Sequence, residues 1–583
     1  MKSFYPKDRY PKFDDIRSIV LHSGHAFGGK PFYKFINTKN EVEELSYTDF
    51  SNNVIALTTA LCSMGLKGKR IALLSETRPE WLQIYIATVC ADAVIVPLDK
   101  ELMTEQICDF ISFAECEALF CSESFMEKGR ELFNSVDCLK YISVIKDTEE
   151  KPLEVSEISS ILSEKESTFK KLLRFGKLLV AAEDNSFYDI VPNIDKECAF
   201  IFTSGTTGTS KCVMLSQRNL CSCIYSSANL TPFDEKVVLL SVLPLHHTYE
   251  TSCGMLTAYV IGATVCLNNS LKYVLRNLKK FQPTAMILVP LFVQTIYKKI
   301  VDEIRKKGKE KTVSMGVKIT KTMRKAHIDL RRKFFAEVID SLGGRLEHIV
   351  CGGAPLDPEL VERFEEFGIK VQQGYGITEC APLLAVNPSN RIKYNSVGLP
   401  AYECEVKILI TEEGEAPRYA EAGEIGEVIT KGQNVMLGYF NNDQANKDAF
   451  TEDGYFRTGD LGYFDSEGYL YLTGREKNLI ILANGKNVYP EEIEEYIYRI
   501  DLVKECVVVA RKNTLDEQVI TALIYPDYDA LAGLDNNEIQ ARIKEEIAQV
   551  NKKLPSFKQI RNIEIKKTEF VKTTTKKIKR AGL

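Results

Sequence analysis

Between Lys69 and Leu98 the chain reads strand, helix, strand with short connections, and that order leaves few folds open. "KRIALL" (Lys69 to Leu74) is an apolar run of strand length. Pro79 then opens "PEWLQIYIATVCA", and Glu80 falls in the first helical turn, where a carboxylate suits the helix dipole. "AVIVPL" (Ala93 to Leu98) is the next strand. Strands joined in this way form a right-handed parallel unit. "EALFCS", "KYISVI" and "AMILVP" supply further strands, so the chain carries a large α/β domain. Its 583 residues exceed what one hydrophobic core usually organises, which predicts at least two domains.

The C-terminal part has a different texture. "LGYFDSEGYLYLTG" (Leu461 to Gly474) reads as a hairpin turning at Asp465 to Gly468. "YPEEIEEYIYRI" predicts a helix with Pro490 at its first position and Ile493, Ile497 and Ile500 on one face. "ECVVVA" and "ITALIYP" read as strands. In "DNNEIQARIKEEIAQVNKKLP", Ile539, Ile543, Ile547, Val550 and Leu554 form one helical stripe, and Pro555 follows its end. The expected division is a large domain over 1–474, α/β with a β-rich segment, and a small mobile α+β domain over 475–583.

A net charge of −5 argues against a general nucleic-acid binder. The N-terminus, "MKSFYPKDRYPKFDD", has no apolar core of a signal peptide. The 16 cysteines are scattered, as expected of reduced thiols in the cytoplasm. "CGMLTAYVIGATVCL" (Cys253 to Leu267) is too short to span a bilayer and is interrupted by Gly262; it predicts a buried helix followed by a strand. Basic residues crowd between Glu303 and Lys333. They read as a solvated helical face, with a patch for anionic lipid or for the phosphates of an acyl carrier as the alternative.

"TSGTTGTSK" (Thr203 to Lys211) packs small, hydroxylated and flexible residues into a loop that ends on a cation. "CAFIF" before it reads as a strand and a helix is expected to start near Ser216, so the loop is expected between strand and helix. Backbone N–H groups, hydroxyls and Lys211 would suit a phosphate, while a plain polar surface loop has the same composition. A Walker A loop is excluded, because Lys211 follows Ser210 and precedes Cys212.

With its companions, this loop resembles the phosphate loop of the adenylate-forming superfamily, which includes acyl-CoA synthetases, firefly luciferases and peptide-synthetase adenylation domains. "CGGAPLDPEL" (Cys351 to Leu360), "QGYGITE" (Gln373 to Glu379), "SVGLP" (Ser396 to Pro400), "DGYFRTGDLG" (Asp453 to Gly462), "GREKNLI" (Gly474 to Ile480) and "VKTTTKKIKR" (Val571 to Arg580) follow in the family's order. The resemblance runs from about Tyr47 to the end and is greatest to bacterial long-chain fatty acyl-CoA synthetases.

The resemblance implies ATP, Mg²⁺ and coenzyme A as co-substrates of a carboxylic acid. It implies a phosphate loop of Thr203, Ser204, Gly205, Thr206, Thr207, Gly208 and Lys211. Gly353, Ala354, Gly374, Tyr375 and Gly376 would take the adenine side, with Thr378 on the α-phosphate and Glu379 on Mg²⁺. Asp460 and Arg475 would hold the ribose, and His247, rather than His246, would border the acyl pocket. Lys477 would be the hinge, and Lys577 the lysine joining carboxylate and α-phosphate. Val571 replaces the family's usual Pro and Lys576 its usual Gly, which leaves Lys576 as the competing lysine. The implied reaction is acyl-AMP formation with loss of pyrophosphate, then transfer to coenzyme A. A carrier protein acting in trans and an aryl or other acid are the alternatives. The expected location is cytoplasmic, with peripheral contact at the inner membrane face.

Overall fold

Arg70–Leu74 lies inside an eight-stranded sheet, paired in parallel with Val94–Pro97 on one side and Ala118–Ser122 on the other. The computed structural model describes residues 8–146, 164–203, 210–412, 414–482, 487–512, 518–572, 578–580 and 582–583. The connecting helix, Pro79–Cys90, buries Trp81, Leu82, Ile84, Tyr85 and Ile86, which is why its sequence is apolar nearly all round. Across the sheet the order is Gly438–Tyr439, Lys211–Ser216, Glu197–Thr203, Val94–Pro97, Arg70–Leu74, Ala118–Ser122, Tyr141–Ile145, Glu166–Thr168.

"AMILVP" belongs to a second sheet, of nine strands. Thr264–Leu267, Val238–Ser241, Ala285–Leu288, His348–Cys351 and Lys370–Gly376 run parallel through its middle. Cys253 to Leu267 takes the predicted form: a π-helix over Tyr249–Leu256 continues as the helix Thr257–Ile261 and ends at Gly262, with Thr264–Leu267 as the strand. Gly262 has φ +77°, a left-handed conformation that stops a helix cheaply only at glycine. A side chain there would also collide with the Phe27 ring.

The helix starts as expected near Ser216, but one part of the expectation is corrected: between the Gly-rich loop and that helix lies a strand, Lys211–Ser216, antiparallel to Glu197–Thr203. Cys212, Val213 and Leu215 bury themselves in the sheet, and that apolar run outweighs the helical pattern downstream. The helix is Gln217–Leu230, with Ser216 as its N-cap accepting from the Asn219 N–H. The loop therefore joins two antiparallel strands and does not open onto a helix N-terminus.

The chain packs into two compact units. The first comprises Met1–Thr203, Lys211–Glu405 and Lys431–Asp448, and holds both large sheets. The second includes Val406–Thr430 and Ala449–Leu583. It contains a five-stranded sheet, in which Phe456–Phe464 and Leu470–Arg475 form the predicted hairpin. Asp465 makes the turn, its carboxylate accepting from the Glu467 and Tyr469 N–H groups.

The second unit also contains an α+β core. The helices Pro490–Tyr498 and Asn536–Lys553 pack on the strands Val503–Lys512, Gln518–Pro526 and Asn562–Ile565. The Ile539, Ile543, Ile547, Val550 and Leu554 stripe is buried as its spacing predicts, and Asp535 with Glu538 closes a capping box at the helix start. No helix among the described residues is long and apolar enough to cross a membrane.

Candidate functional site

In open parallel sheets the loops at the carboxyl ends of the strands form the binding crevice. Three predicted groups sit on such loops of the nine-stranded sheet. Val238–Ser241 leads to His247, His348–Cys351 leads to Gly353 and Ala354, and Lys370–Gly376 leads to Thr378 and Glu379. Local packing ties the three loops together. The Tyr249 hydroxyl donates to the Val350 carbonyl at 3.2 Å. Any Cβ on Gly352 would press on the Tyr249 ring and the Gly374 carbonyl. Gly353 has φ +87° and, with Ala354, is exposed.

The turn that carries Thr378 and Glu379 is tightly built. The Ile377 N–H donates to the Pro382 carbonyl at 3.0 Å, and the Met436 N–H to the Glu379 carbonyl at 2.8 Å. Gly376 is required by close approach, since a Cβ would overlap the Pro382 carbonyl oxygen. Tyr375 lies in the strand and is only 7% exposed, while Thr378 and Glu379 are half-buried.

Glu379 accepts a 2.9 Å hydrogen bond on Oε1 from the Tyr439 hydroxyl. The Lys211 ammonium stands 4.4 Å from the centre of the same Tyr439 ring. A cation, an aromatic ring and a carboxylate thus form one chain, within reach of cation–π attraction. Burial and the adjacent Glu379 push the Tyr439 hydroxyl pKa up, so it stays a donor. Tyr439 is fixed in turn: Gly438–Tyr439 pairs with Val213 and Met214, and Asn446 both accepts from the Tyr439 N–H (2.6 Å) and donates to its carbonyl (2.9 Å).

Sequence reasoning missed Tyr439. It sits in a two-residue strand with no periodicity, and its partner is 60 positions away. The one available signal was Gly438 beside it, at φ +140° with its Cβ position against Asn446.

Thr203 and Lys211 face each other across the strand pair, with the Thr203 Oγ1 donating to the Lys211 carbonyl at 3.4 Å. Ser204, Gly205, Thr206, Thr207 and Gly208 lie outside the described residues. His247 is half-buried, its ring centre 4.1 Å from that of His246, and His246 Nε2 lies 3.4 Å from an oxygen of Asp99. Just beyond, Glu250 is 1% exposed. Burial raises its pKa to about 8 although Ser241 donates to one oxygen, and its Oε2 has no partner.

In the second unit Asp460 and Arg475 are cross-strand neighbours joined at 2.9 Å. Asp460 is buried, and its N–H donates to the Thr458 Oγ1 at 3.0 Å. Lys477 is exposed in the short turn Glu476–Asn478. Lys577 and its competitor Lys576 lie outside the described residues. Their flanks are anchored: Lys572 pairs with Glu505 and Glu569, and Arg580 pairs with the buried Glu494 at 2.7 Å. Among the described residues no cluster of three or more His, Cys, Asp or Glu is arranged to hold a metal ion. Glu379 offers a single carboxylate, the donor set expected where phosphates supply the remaining oxygens around Mg²⁺.

Residues 22–440 match the family described as AMP-binding enzyme, and residues 477–582 match the AMP-binding enzyme C-terminal domain. The chain is 27% identical over 513 residues to long chain acyl-CoA synthetase 6, peroxisomal, of Arabidopsis thaliana, covering 85% of this chain and 72% of that one. It is 28% identical over 507 residues to the long-chain-fatty-acid–CoA ligase FadD15 of Mycobacterium bovis, covering 84% and 78%. Among solved structures it is similar to the anthranilate CoA ligase AuaEII in complex with anthranoyl-AMP. That likeness has a TM-score of 0.75 at 19% identity, covers 98% and 96% of the two chains, and is one of fold.

Proposed function

We propose, for a chain that belongs to the AMP-binding enzyme family, the activity of an AMP-forming fatty acid–CoA ligase. A fatty acid carboxylate attacks the α-phosphorus of ATP, pyrophosphate leaves, and an acyl-adenylate forms. The coenzyme A thiol then attacks the activated carbonyl, giving acyl-CoA and AMP. The observation that carries this reading is the Lys211–Tyr439–Glu379 chain beside the crevice loops. The long-chain specificity rests on the relatives' names.

The catalytic problem is to bring two anions together, so position and charge matter most. Lys211 supplies a fixed cation next to the phosphate loop. Glu379, oriented by Tyr439 through its Oε1, is the residue that would hold Mg²⁺, and that ion would supply positive charge against the phosphates. Thr378 offers a hydroxyl to the α-phosphate, and Gly353, Ala354 and Gly374 to Gly376 let backbone approach the adenine. Tyr375, nearly buried, would present a ring edge more readily than a free face. Asp460, already oriented by Arg475, takes the ribose hydroxyls. His247 borders the acyl chain. Lys577 bridges the carboxylate and the α-phosphate, and the 475–583 domain swings at Lys477 between the two half-reactions. Contact with a membrane surface, where long-chain acids partition, belongs to the same reading.

The test is thioester formation from ATP, Mg²⁺ and coenzyme A across acids from acetate to octadecanoate, read by mass spectrometry. Acyl-CoA and AMP peaking between dodecanoate and octadecanoate are expected. Thioester only on an acyl carrier protein would move the acceptor, and a peak at aryl or short acids would overturn the fatty acid assignment.

A further inference from the structure

The helix Glu310–Lys325 carries apolar residues on both faces. Gly316 and Thr320 are buried and Val313, Val317 and Met323 half-buried on one side, while on the other Met315 is 62% and Ile319 40% exposed. At 3.6 residues per turn, Lys311, Met315, Lys318, Ile319 and Lys325 share an arc of roughly 120°, opposite the buried side. A soluble surface helix normally keeps large apolar side chains off its outer face.

The basic residues of the region divide by face. Lys307 and Lys309 pair with Glu337, Lys321 with Glu362 and Glu366, and Arg324 with Glu365. Those cations are spent on the protein itself. Lys311, Lys318 and Lys325, on the outer arc, make no ion pair among the described residues. Ile328 (48%) and Phe334 (49%), soon after the helix in sequence, are also exposed.

We infer that the outer face of Glu310–Lys325 docks on an anionic lipid bilayer, with Met315 and Ile319 entering the interface and Lys311, Lys318 and Lys325 meeting the headgroup charge. Lone large apolar side chains set between unpaired lysines fit a bilayer, which has no shape to match and lets lysine stems lie along the boundary. A folded protein partner would require a complementary pocket for each of these side chains. The surface deepens the membrane contact proposed above but needs no turnover to be observed.

The test is flotation of the full-length protein with vesicles of phosphatidylcholine alone or with one third phosphatidylglycerol. Binding is expected to the anionic vesicles and to fade in molar salt, where the Debye length is about 3 Å. Met315→Ser with Ile319→Ser should weaken it at least tenfold. Reversing Lys311, Lys318 and Lys325 to Glu should weaken it by on the order of a hundredfold, at about fivefold per lysine removed. Unchanged circular dichroism and an unchanged thermal midpoint would show that the variants fold. The inference is overturned if the wild-type protein ignores anionic vesicles or binds neutral ones equally. It is equally overturned if folded variants bind like wild type, or if these residues instead mediate self-association or capture of an acidic acyl carrier protein. A failure of the ligase reading would appear in the thioester assay and leave flotation unaffected.

Discussion

Tyr439 stands between a cation and a carboxylate, and its hydroxyl is what orients Glu379. Tyr439→Phe keeps the ring over Lys211 and removes only that bond. The expected loss is roughly tenfold in kcat/KM for Mg·ATP, about 1.5 kcal/mol for a hydrogen bond to a charged group. Glu379→Gln should cost on the order of a hundredfold or more. A Phe variant as active as wild type would mean that the ring over Lys211, not the hydroxyl that orients Glu379, matters. Glu250 carries a different prediction. An unfolded Glu loses its proton near pH 4.5, and the buried one near 8. Between those values the folded state holds a proton that the unfolded state does not, so stability falls as pH rises, by up to about 1.4 kcal/mol per pH unit. Glu250→Gln should flatten that fall, seen as a smaller change in thermal midpoint between pH 5 and pH 8. Equal slopes in both proteins would contradict the assignment. At this scale the sequence showed residue types well and partners poorly. Glu379 was readable from its neighbours, whereas Tyr439 and the lone carboxyl oxygen of Glu250 depend on contacts between distant segments.

Elements with strong periodicity were the legible ones. The stripe from Ile539 to Leu554 could be read because burial on one face repeats every three to four residues. Cys253 to Leu267 was readable through Gly262, but its π-helical turn was not, because a π-helix has no distinct apolar spacing. The strand Lys211–Ser216 went unread because six residues carry too little pattern, and only pairing with Glu197–Thr203 decides it; the helix start near Ser216 was legible. The residues flanking the Gly-rich segment, Thr203 and Lys211, are thereby paired across two antiparallel strands. The flanks of the Lys577 segment depend on another element. Arg580 neutralises Glu494, whose pKa burial pushes up, on the helix Pro490–Tyr498. Arg580→Ala leaves that carboxylate buried without its cation, held among the described residues only by the Val508 N–H at 2.6 Å, at a cost of about 3 kcal/mol. Hydrogen exchange should quicken across Pro490–Tyr498 and Val503–Lys512, and unchanged protection there would refute the anchoring role.

At the scale of the molecule, the α/β class and the two-part organisation were legible from alternating strands and helices followed by a hairpin-rich, α+β texture. By contacts, the five-stranded sheet clusters with the C-terminal residues, a grouping that sequence order alone does not reveal. Division of labour between domains predicts separable defects. Lys577→Ala should cripple acyl-adenylate formation yet spare thiolysis of a supplied acyl-adenylate, and Lys477→Pro should impair one half-reaction more than the other. Greater damage from Lys576→Ala than from Lys577→Ala would reassign the lysine. The most direct measurement of the central claim is exchange of labelled pyrophosphate into ATP without coenzyme A. Exchange that appears only with a long-chain acid and Mg²⁺, and is lost in Glu379→Gln, is predicted. Acid-dependent release of ADP and phosphate, with no label entering ATP, would contradict it.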